Sequence, residues 1–273
     1  MKRRDMLAGT GTTVLSGLLP WTATAQSSQA PKLIGFMRTN WSRDPFSFGT
    51  YSHIAKGSQR KDHRRLAEPV ADKVYFAGEA ANPDRNSSVH AALESGRLVA
   101  SQIAASGHKR IGVIGAGVSG LVAAHAMSNA GLDVHVIEGR DRIGGRINTD
   151  RSLGFAADLG ASWLHGIDGN PLTAVVKQAG MRKFVYDPNG IARVQGREIS
   201  LNNLPNWAYD ILQYDNHAGT ENGTLNKWAY LWTSDYSGDE WLFPDGYDQI
   251  LTQFEGGYEL SLNERVNAVE YNS

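Results

Sequence analysis

The stretch Gly115-Ala116-Gly117-Val118-Ser119-Gly120 limits what this chain can fold into more than any other. Three glycines at this spacing carry little information alone, so the flanks decide. Ile111 to Ile114 reads as a buried strand, and Val118 to Ala130 as a helix with Gly131 at its C′ position. Val134 to Ile137 reads as the next strand, which completes a βαβ unit of about 28 residues. Each glycine has a physical task. Gly115 permits the tight turn, Gly117 lets a pyrophosphate approach the backbone, and Gly120 lets the helix pack on the strand. The free N–H groups and positive end of the helix attract phosphate. Glu138 follows Gly120 by 18 residues, at the end of the second strand. Its carboxylate can accept hydrogen bonds from ribose hydroxyls, and it would repel a 2′-phosphate. The loop therefore predicts a dinucleotide, and NADP fits it badly.

The rest of the chain supports an α/β reading. Val74-Tyr75-Phe76-Ala77, ended by Gly78, reads as another buried strand, and Ser88 to Ala104 as a helix stopped by Gly107. Strand 74–77, helix 88–104 and strand 111–114 would then form a further βαβ unit in the same parallel sheet. Asn170 to Gly180 reads as a helix, Val185 to Ile199 as a hairpin turning at Asp187-Pro188-Asn189-Gly190, and Tyr247 to Phe254 as a short helix. Glu259 to Leu262 and Val266 to Tyr271 read as strands. The aromatic run from Trp207 to Trp241 reads as helical, and its rings as core rather than ligand cage. The basic run Gln59 to Arg65 reads as a solvated face.

Composition removes several alternatives. The net charge of −1 is nearly balanced, so no nucleic-acid surface is expected. With no cysteine, disulfides, thiolate metal sites, a cysteine nucleophile and a cysteinyl bond to any cofactor are excluded. No apolar run reaches the length of about 18 residues that a spanning helix requires. The first 25 residues combine Lys2, Arg3 and Arg4 with a weakly apolar run, Leu7 to Trp21, and Ala23-Thr24-Ala25. This reads as an export signal of twin-arginine type, hence a periplasmic or secreted protein. An ordinary secretion signal or a disordered start is the alternative.

Three further segments narrow the dinucleotide. Glu138-Gly139-Arg140-Asp141-Arg142-Ile143-Gly144-Gly145-Arg146 resembles the second cofactor-contacting stretch of the flavin amine oxidase family. Leu159 to Gly166 (LGASWLHG) resembles that family's loop along the isoalloxazine ring. Trp41 to Ser52 (WSRDPFSFGTYS) and Val74 to Gly96 (VYFAGEAANPDRNSSVHAALESG) resemble its last part. The resemblance implies FAD. It implies that Arg140 and Arg146 are phosphate partners, and guanidinium suits that task with planar, bidentate donors. It further implies contacts to the cofactor from Gly145, Gly160, Ala161 and Trp163, and from Gly78 and Glu79 at the ribityl phosphate. Ser88 and Val89 would stand at a helix start facing the pyrimidine, and Val266 near the adenine. Ala81 replaces the family's usual threonine, and the aromatic residue usual near Ser88 is missing.

In the family the segment here at 33–104 comes last, so the order is permuted. The family's long substrate-domain stretch, with a lysine that holds a water near flavin N5, has no match after Val266. The implied layout is an export signal at 1–25 and a permuted FAD segment at 26–110. The Rossmann FAD-binding core follows at 111–166, a partial substrate domain at 167–257, and returning strands at 258–273. The fold class expected is thus a Rossmann-like FAD-binding parallel sheet domain plus part of an α+β substrate domain. The implied function is amine oxidation: hydride passes from a carbon–nitrogen bond to the flavin, the imine hydrolyses, and molecular oxygen reoxidises the flavin to give peroxide. No side chain is assigned as catalytic. Tyr51 and His165 are the candidates for lining the substrate side. Three situations remain open: a piece of a longer chain, a partner chain that supplies the missing segment, or a flavin-binding module without turnover. An NAD-dependent dehydrogenase is disfavoured, because NAD needs neither Gly78-Glu79 nor Gly144-Gly145-Arg146.

Overall fold

The computed structural model describes residues 33–186, 192–194, 197–199, 224–226 and 236–271. The expected export signal, the hairpin turn at 187–190 and most of the aromatic run lie outside them. The chain divides into two units, Met1–Phe36 and Met37–Ser273. In the first, Leu33, Ile34 and Phe36 are exposed. The second holds the regular structure of the described residues. In chain order this is α1 (Arg60–Leu66), α2 (Val89–Ser106), β1 (Arg110–Ile114), α3 (Val118–Asn129), β2 (Asp133–Ile137), β3 (Thr149–Asp150), β4 (Ala157–Asp158), β5 (Trp163–Leu164), α4 (Pro171–Gln178), β6 (Phe184–Val185), β7 (Ala192–Val194), β8 (Arg197–Ile199), β9 (Trp241–Leu242) and β10 (Glu259–Ser261). A 3₁₀ segment covers Tyr247–Phe254, as its spacing predicts.

The expected βαβ unit forms. β1 and β2 pair in parallel from Arg110↔Asp133 to Ile114↔Ile137, and β10 adds to the other side of β2, also in parallel. α3 ends as its sequence requires. Gly131 takes φ +81, its N–H bonds Ser128 O, and the Leu132 N–H bonds Met127 O. That pair of bonds is a Schellman closure, which only a residue tolerant of the left-handed region completes cheaply. α2 is capped at both ends. The Ser88 hydroxyl accepts from the Ala91 N–H, and Gly107 takes φ +84.

α2 lies across α3 at very short range. A Cβ on Gly96 would stand 2.4 Å from the Ser119 carbonyl oxygen. Around this crossing lies one core that also includes Leu93, Leu121, Met127, Val136, Leu172, Tyr247 and Ile250. Burying side chains of this size stabilises by roughly 1.5–3 kcal/mol each. Residues assigned by sequence to three different segments thus share a single apolar interior.

Four expectations change. Val74 to Ala77 forms no ladder with β1. Val74 instead closes a tight turn with Val70, through Val70 N–H to Val74 O and Val74 N–H to Val70 O, with Ala71 and Asp72 at positive φ. Its backbone groups are used locally, so the second βαβ unit is absent and Phe76 is exposed. β1 is buried on one face only: Ile111 and Val113 pack on the core, while Ile114 is 58% exposed. The hairpin is shorter than 185–199, because β7 pairs with β8 while Val185 pairs with Trp241 of β9, in the antiparallel order β5-β9-β6. Finally, Val266 to Tyr271 is not a strand. Asn263 turns at φ +60, its N–H bonds Arg140 O, and the Glu264 N–H bonds Glu138 O. The chain then leaves the sheet, with Val266 half-buried.

The run at 59–65 becomes α1, closed by a Gln59/Asp62 capping box, with His63 buried on Ala80 O. Among the described residues, no helix is long and apolar enough to cross a membrane.

The crossing of α2 on α3 gives a direct test. Gly96→Ala should destabilise by about 1–3 kcal/mol, because a backbone carbonyl cannot yield as a side chain can. Gly112→Ala meets nothing within 4 Å and should stay within about 0.5 kcal/mol of the parent. Urea unfolding of the two variants decides it.

Candidate functional site

The glycine loop is built as its sequence predicts. Gly115 takes φ +97 while its N–H continues the ladder to Ile137 O at 2.8 Å. A Cβ on Gly120 would stand 2.1 Å from Gly115 O, so this glycine permits the contact of helix and loop. A Cβ on Gly117 would meet nothing within 4 Å. Here the chain leaves space at the start of α3, where backbone N–H groups are unpaired within the helix.

Glu138 holds the loop from below. Its side chain is buried, with one oxygen accepting from the Ala116 N–H at 2.7 Å and the other from the Arg140 N–H at 2.8 Å. The Gly-Gly-Arg stretch docks against the same loop. The Gly144 N–H bonds Ala116 O at 2.8 Å, and a Cβ on Gly145 would lie 3.2 Å from Gly117 Cα. Arg142 fixes that stretch through the carbonyls of Ile143, Gly145 and Ile147, and burial lowers its pKa. The motif does not reveal this structural role, since all three arginines look alike in sequence.

The two arginines expected to meet phosphate are both engaged within the protein. Arg140 forms a bidentate pair with Asp44, at 2.8 and 2.6 Å, and also donates to Ser47 Oγ. Its guanidinium holds the Asp44 carboxyl at a pKa of about 2, well below the ordinary value of 3.8. Phe46 lies under Arg140 at 5.2 Å and fills the space where a Gly139 side chain would be. Arg146 donates through Nη1 to Glu79 at 2.7 Å and to Thr50 O at 3.1 Å. Glu79 is buried and also accepts from the Ser52 N–H, the Ser52 hydroxyl and the Ser87 N–H. Burial alone would raise its pKa, but the Arg146 charge and these hydrogen bonds outweigh it and lower it. Asp44, Ser52 and Ser87 lie inside the quoted segments, yet only the fold shows their acceptor and donor partners.

The other expected site residues fall around this pair. Gly160 crosses the Arg146 backbone so closely that a Cβ would lie 1.8 Å from Arg146 O, and the Ala161 N–H bonds the same oxygen. Trp41 Nε1 donates to Leu159 O at 2.8 Å. The Gly78 N–H donates to Ser95 Oγ of α2, while Ser88 and Val89 open that helix. Thus Gly78, Glu79, Arg146, Gly160 and Ala161 come together, with Gly145 docked on the glycine loop. Val266 stands apart, beyond β10.

Trp163 stacks on His165 with centroids 5.9 Å apart, and His165 Nδ1 lies 2.6 Å from Glu240 Oε2. Tyr51 is half-buried, and burial raises its pKa. His90, which sequence reasoning assigned no role, is 2% exposed in the first turn of α2. Asn170 Oδ1 accepts from the Leu172 N–H, and its Nδ2 donates to His165 O at 3.1 Å and Gly166 O at 2.9 Å, with His90 Nδ1 3.4 Å away. Burial, helped by the nearby charges of His165 and Arg85, holds the His90 pKa at about 4 against an ordinary 6.5.

This depression has a sign. Between pH 6.5 and 4 the unfolded chain binds a proton at this histidine and the folded chain does not, so stability falls as pH falls through that window. The loss should approach about 3 kcal/mol by the bottom of the window. Urea unfolding at stepped pH should show His90→Gln with a flatter profile there. An identical slope for the parent and the variant would remove His90 as the cause.

Against this geometry the comparisons are informative. A family model described as flavin containing amine oxidoreductase matches residues 3–104 and 118–206. Probable polyamine oxidase 4 of Arabidopsis thaliana is 56% identical over 73 residues, which cover 26% of this chain and 15% of that protein. Polyamine oxidase 3 of Oryza sativa subsp. japonica is 54% identical over 70 residues, covering 25% and 14%. A solved putrescine oxidase, redesigned in cofactor binding, is 38% identical over 28% of this chain and 17% of that one, with a TM-score of 0.24. The alignments to these curated relatives span about one-seventh of the relatives' own length. The family model, however, covers more than half of the residues here, and the chain belongs to the flavin-containing amine oxidoreductase family.

Proposed function

We propose that this chain holds FAD in the cradle formed by the glycine loop, the Gly-Gly-Arg stretch and the Glu79 cluster, and that it serves the oxidation of an amine. The observation that carries the reading is the open backbone at Gly117, with Gly145 packed beside it and α3 starting there. A diphosphate needs that approach to bare backbone at a helix start. When bound, FAD supplies the hydride acceptor for a carbon–nitrogen bond, and oxygen then takes the electrons to give peroxide.

The residues of this chain position and hold. Glu138 keeps the loop in shape through Ala116, and its carboxylate would repel an extra phosphate on the ribose. Arg146 and Glu79 fix Gly160-Ala161 against the segment before α2, so small residues line the approach to the ring. Ser88 and Val89 present the start of α2, whose positive end favours negative charge on a reduced ring. His165 and Tyr51 line the amine side. The paired arginines Arg3 and Arg4 support export by the twin-arginine route to the periplasm or beyond. A partner chain completing the substrate side is compatible with the short span that the curated relatives share with this chain.

The test begins with the visible spectrum of the purified chain after excess FAD is removed by gel filtration. Retained flavin bands, with peroxide released when amines are added, are expected. Retained flavin without peroxide would make this a flavin-holding module only, and a colourless protein would defeat the FAD reading. Gly117→Ala should lose flavin by about tenfold or more in affinity while keeping the parent's stability, because its Cβ would meet no protein atom within 4 Å yet stand in ligand space.

A further inference from the structure

The stretch that leads into α2, Arg85-Asn86-Ser87-Ser88, stands between Tyr51 and His165, the two side chains assigned to the amine side. Asn86 Nδ2 donates to the carbonyl and hydroxyl oxygens of Ser52, next to Tyr51. On the other side, the charges of Arg85 and His165 both act on His90, and Asn170 Nδ2 bonds His165 O while lying beside His90 Nδ1. The stretch is held firmly. Asn82 Oδ1 accepts from the Asp84 and Arg85 N–H groups, and Ser88 Oγ donates to Arg85 O at 2.8 Å. Ser87 sits at φ +72, a strained conformation for a side-chain-bearing residue, with its N–H fixed on Glu79.

Arg85 carries donors that this setting does not use. Its side chain is 28% exposed, and its guanidinium lies over the Tyr236 ring, 4.4 Å from the centroid. Stacking engages the face of a guanidinium and leaves its N–H edge for a planar acceptor. Nε is buried without a hydrogen-bond partner, and Glu94 Oε2 stands 3.8 Å from Nη1, beyond hydrogen-bond reach. Glu94 is engaged elsewhere, by Asn82 Nδ2 at 2.8 Å and by the Tyr236 hydroxyl. Two more buried atoms in residues 85–90 lack a partner. One is Asn86 Oδ1, and the other is Nε2 of His90, whose 2% exposed ring meets Tyr236 edge-on at 5.2 Å. Buried polar atoms are normally paired, so three unpaired ones in one short stretch call for a polar group from outside the chain.

We propose that Arg85 is a specificity-determining residue on the amine side, and that its guanidinium edge takes the carboxylate of an amino acid substrate. The proposal rests on the amine-oxidation reading above and narrows it. A cation here disfavours a ligand whose charges are all positive, because like charges at close range repel. A carboxylate instead gains a charge-assisted, two-point contact. His90, neutral beside the same ring, adds no competing charge.

Pairs of compounds that differ only in a carboxylate test this on the flavin-loaded full chain: ornithine against putrescine, phenylalanine against phenethylamine, and leucine against isoamylamine. Peroxide release should give the amino acid the higher kcat/KM in the pairs that turn over. Arg85→Gln should reduce that ratio about tenfold or more, the size of a charge-assisted hydrogen bond, and through KM more than kcat. Arg85→Lys should recover only part of it, since an ammonium keeps the charge but not the planar edge. Glu94→Gln, which keeps Arg85 and its stack, should raise the ratio by removing a competing carboxylate, and it carries the test if Arg85→Gln does not fold. Calorimetric titration with hydrocinnamate and isocaproate, which have the carboxylate and no amine, requires neither flavin nor turnover. The parent should bind them, and Arg85→Gln should weaken them about tenfold. A ratio that neither Arg85→Gln nor Glu94→Gln moves would overturn the proposal and leave amine oxidation standing. A parent chain that binds neither acid would overturn it as well. A chain that binds them through Arg85 but retains no flavin would remove the FAD reading and leave the carboxylate site standing.

Discussion

A buried carboxylate organises this protein. Glu79 sits inside, only 7% exposed at its side chain, and its two oxygens collect Arg146, two groups of Ser52 and the Ser87 N–H. Isolated, such a charge would be prohibitive, and removing one partner of a buried pair typically costs about 3–5 kcal/mol. Because its partners come from three stretches of chain, the cost of leaving them unpaired forces those stretches together. The segment near residue 50, the start of α2 and the Gly-Gly-Arg stretch meet where this carboxylate is satisfied. Asp44 and Arg140 repeat the arrangement nearer the surface, where the same geometry stabilises less.

Small residues do the complementary work. Gly96, Gly120 and Gly160 each bring a backbone carbonyl within 2.4 Å of where a Cβ would be, so helix on helix, helix on loop and loop on loop approach at distances no side chain allows. Gly117 differs, because the space beside it belongs to no protein atom. What sets Gly117 apart from other open glycines is its place at the start of α3 beside Gly145. The flavin reading rests on open backbone at that place, together with membership of the family.

Much of the site was legible beforehand, for identifiable reasons. The loop, α3 and β2 are local: period, capping and turn chemistry act within some thirty residues, and Gly131 closes α3 as its position predicts. Arg140 and Arg146 were recognisable as important, but not their partners. A guanidinium in a motif looks equally suited to phosphate or carboxylate, and only the placement of Asp44 and Glu79 shows which it holds here. His90 was invisible for the same reason, since a histidine in an apolar helix says nothing of the Asn170 amide that comes to lie beside it.

By itself, the sequence determined the family, the dinucleotide loop and the βαβ unit, because each depends on residues close along the chain or on a motif whose glycines admit few conformations. Tertiary structure decided the pairing. Val74 to Ala77 has the composition of a strand, yet its backbone closes a local turn with Val70, while Val185 finds Trp241 rather than a hairpin partner. Strand composition describes which faces a segment can bury, whereas ladder partners are chosen by where distant backbone groups fall free. The same holds for charge: the arginines were countable from the start, but which carboxylate or carbonyl each holds depends on contacts between residues about a hundred positions apart.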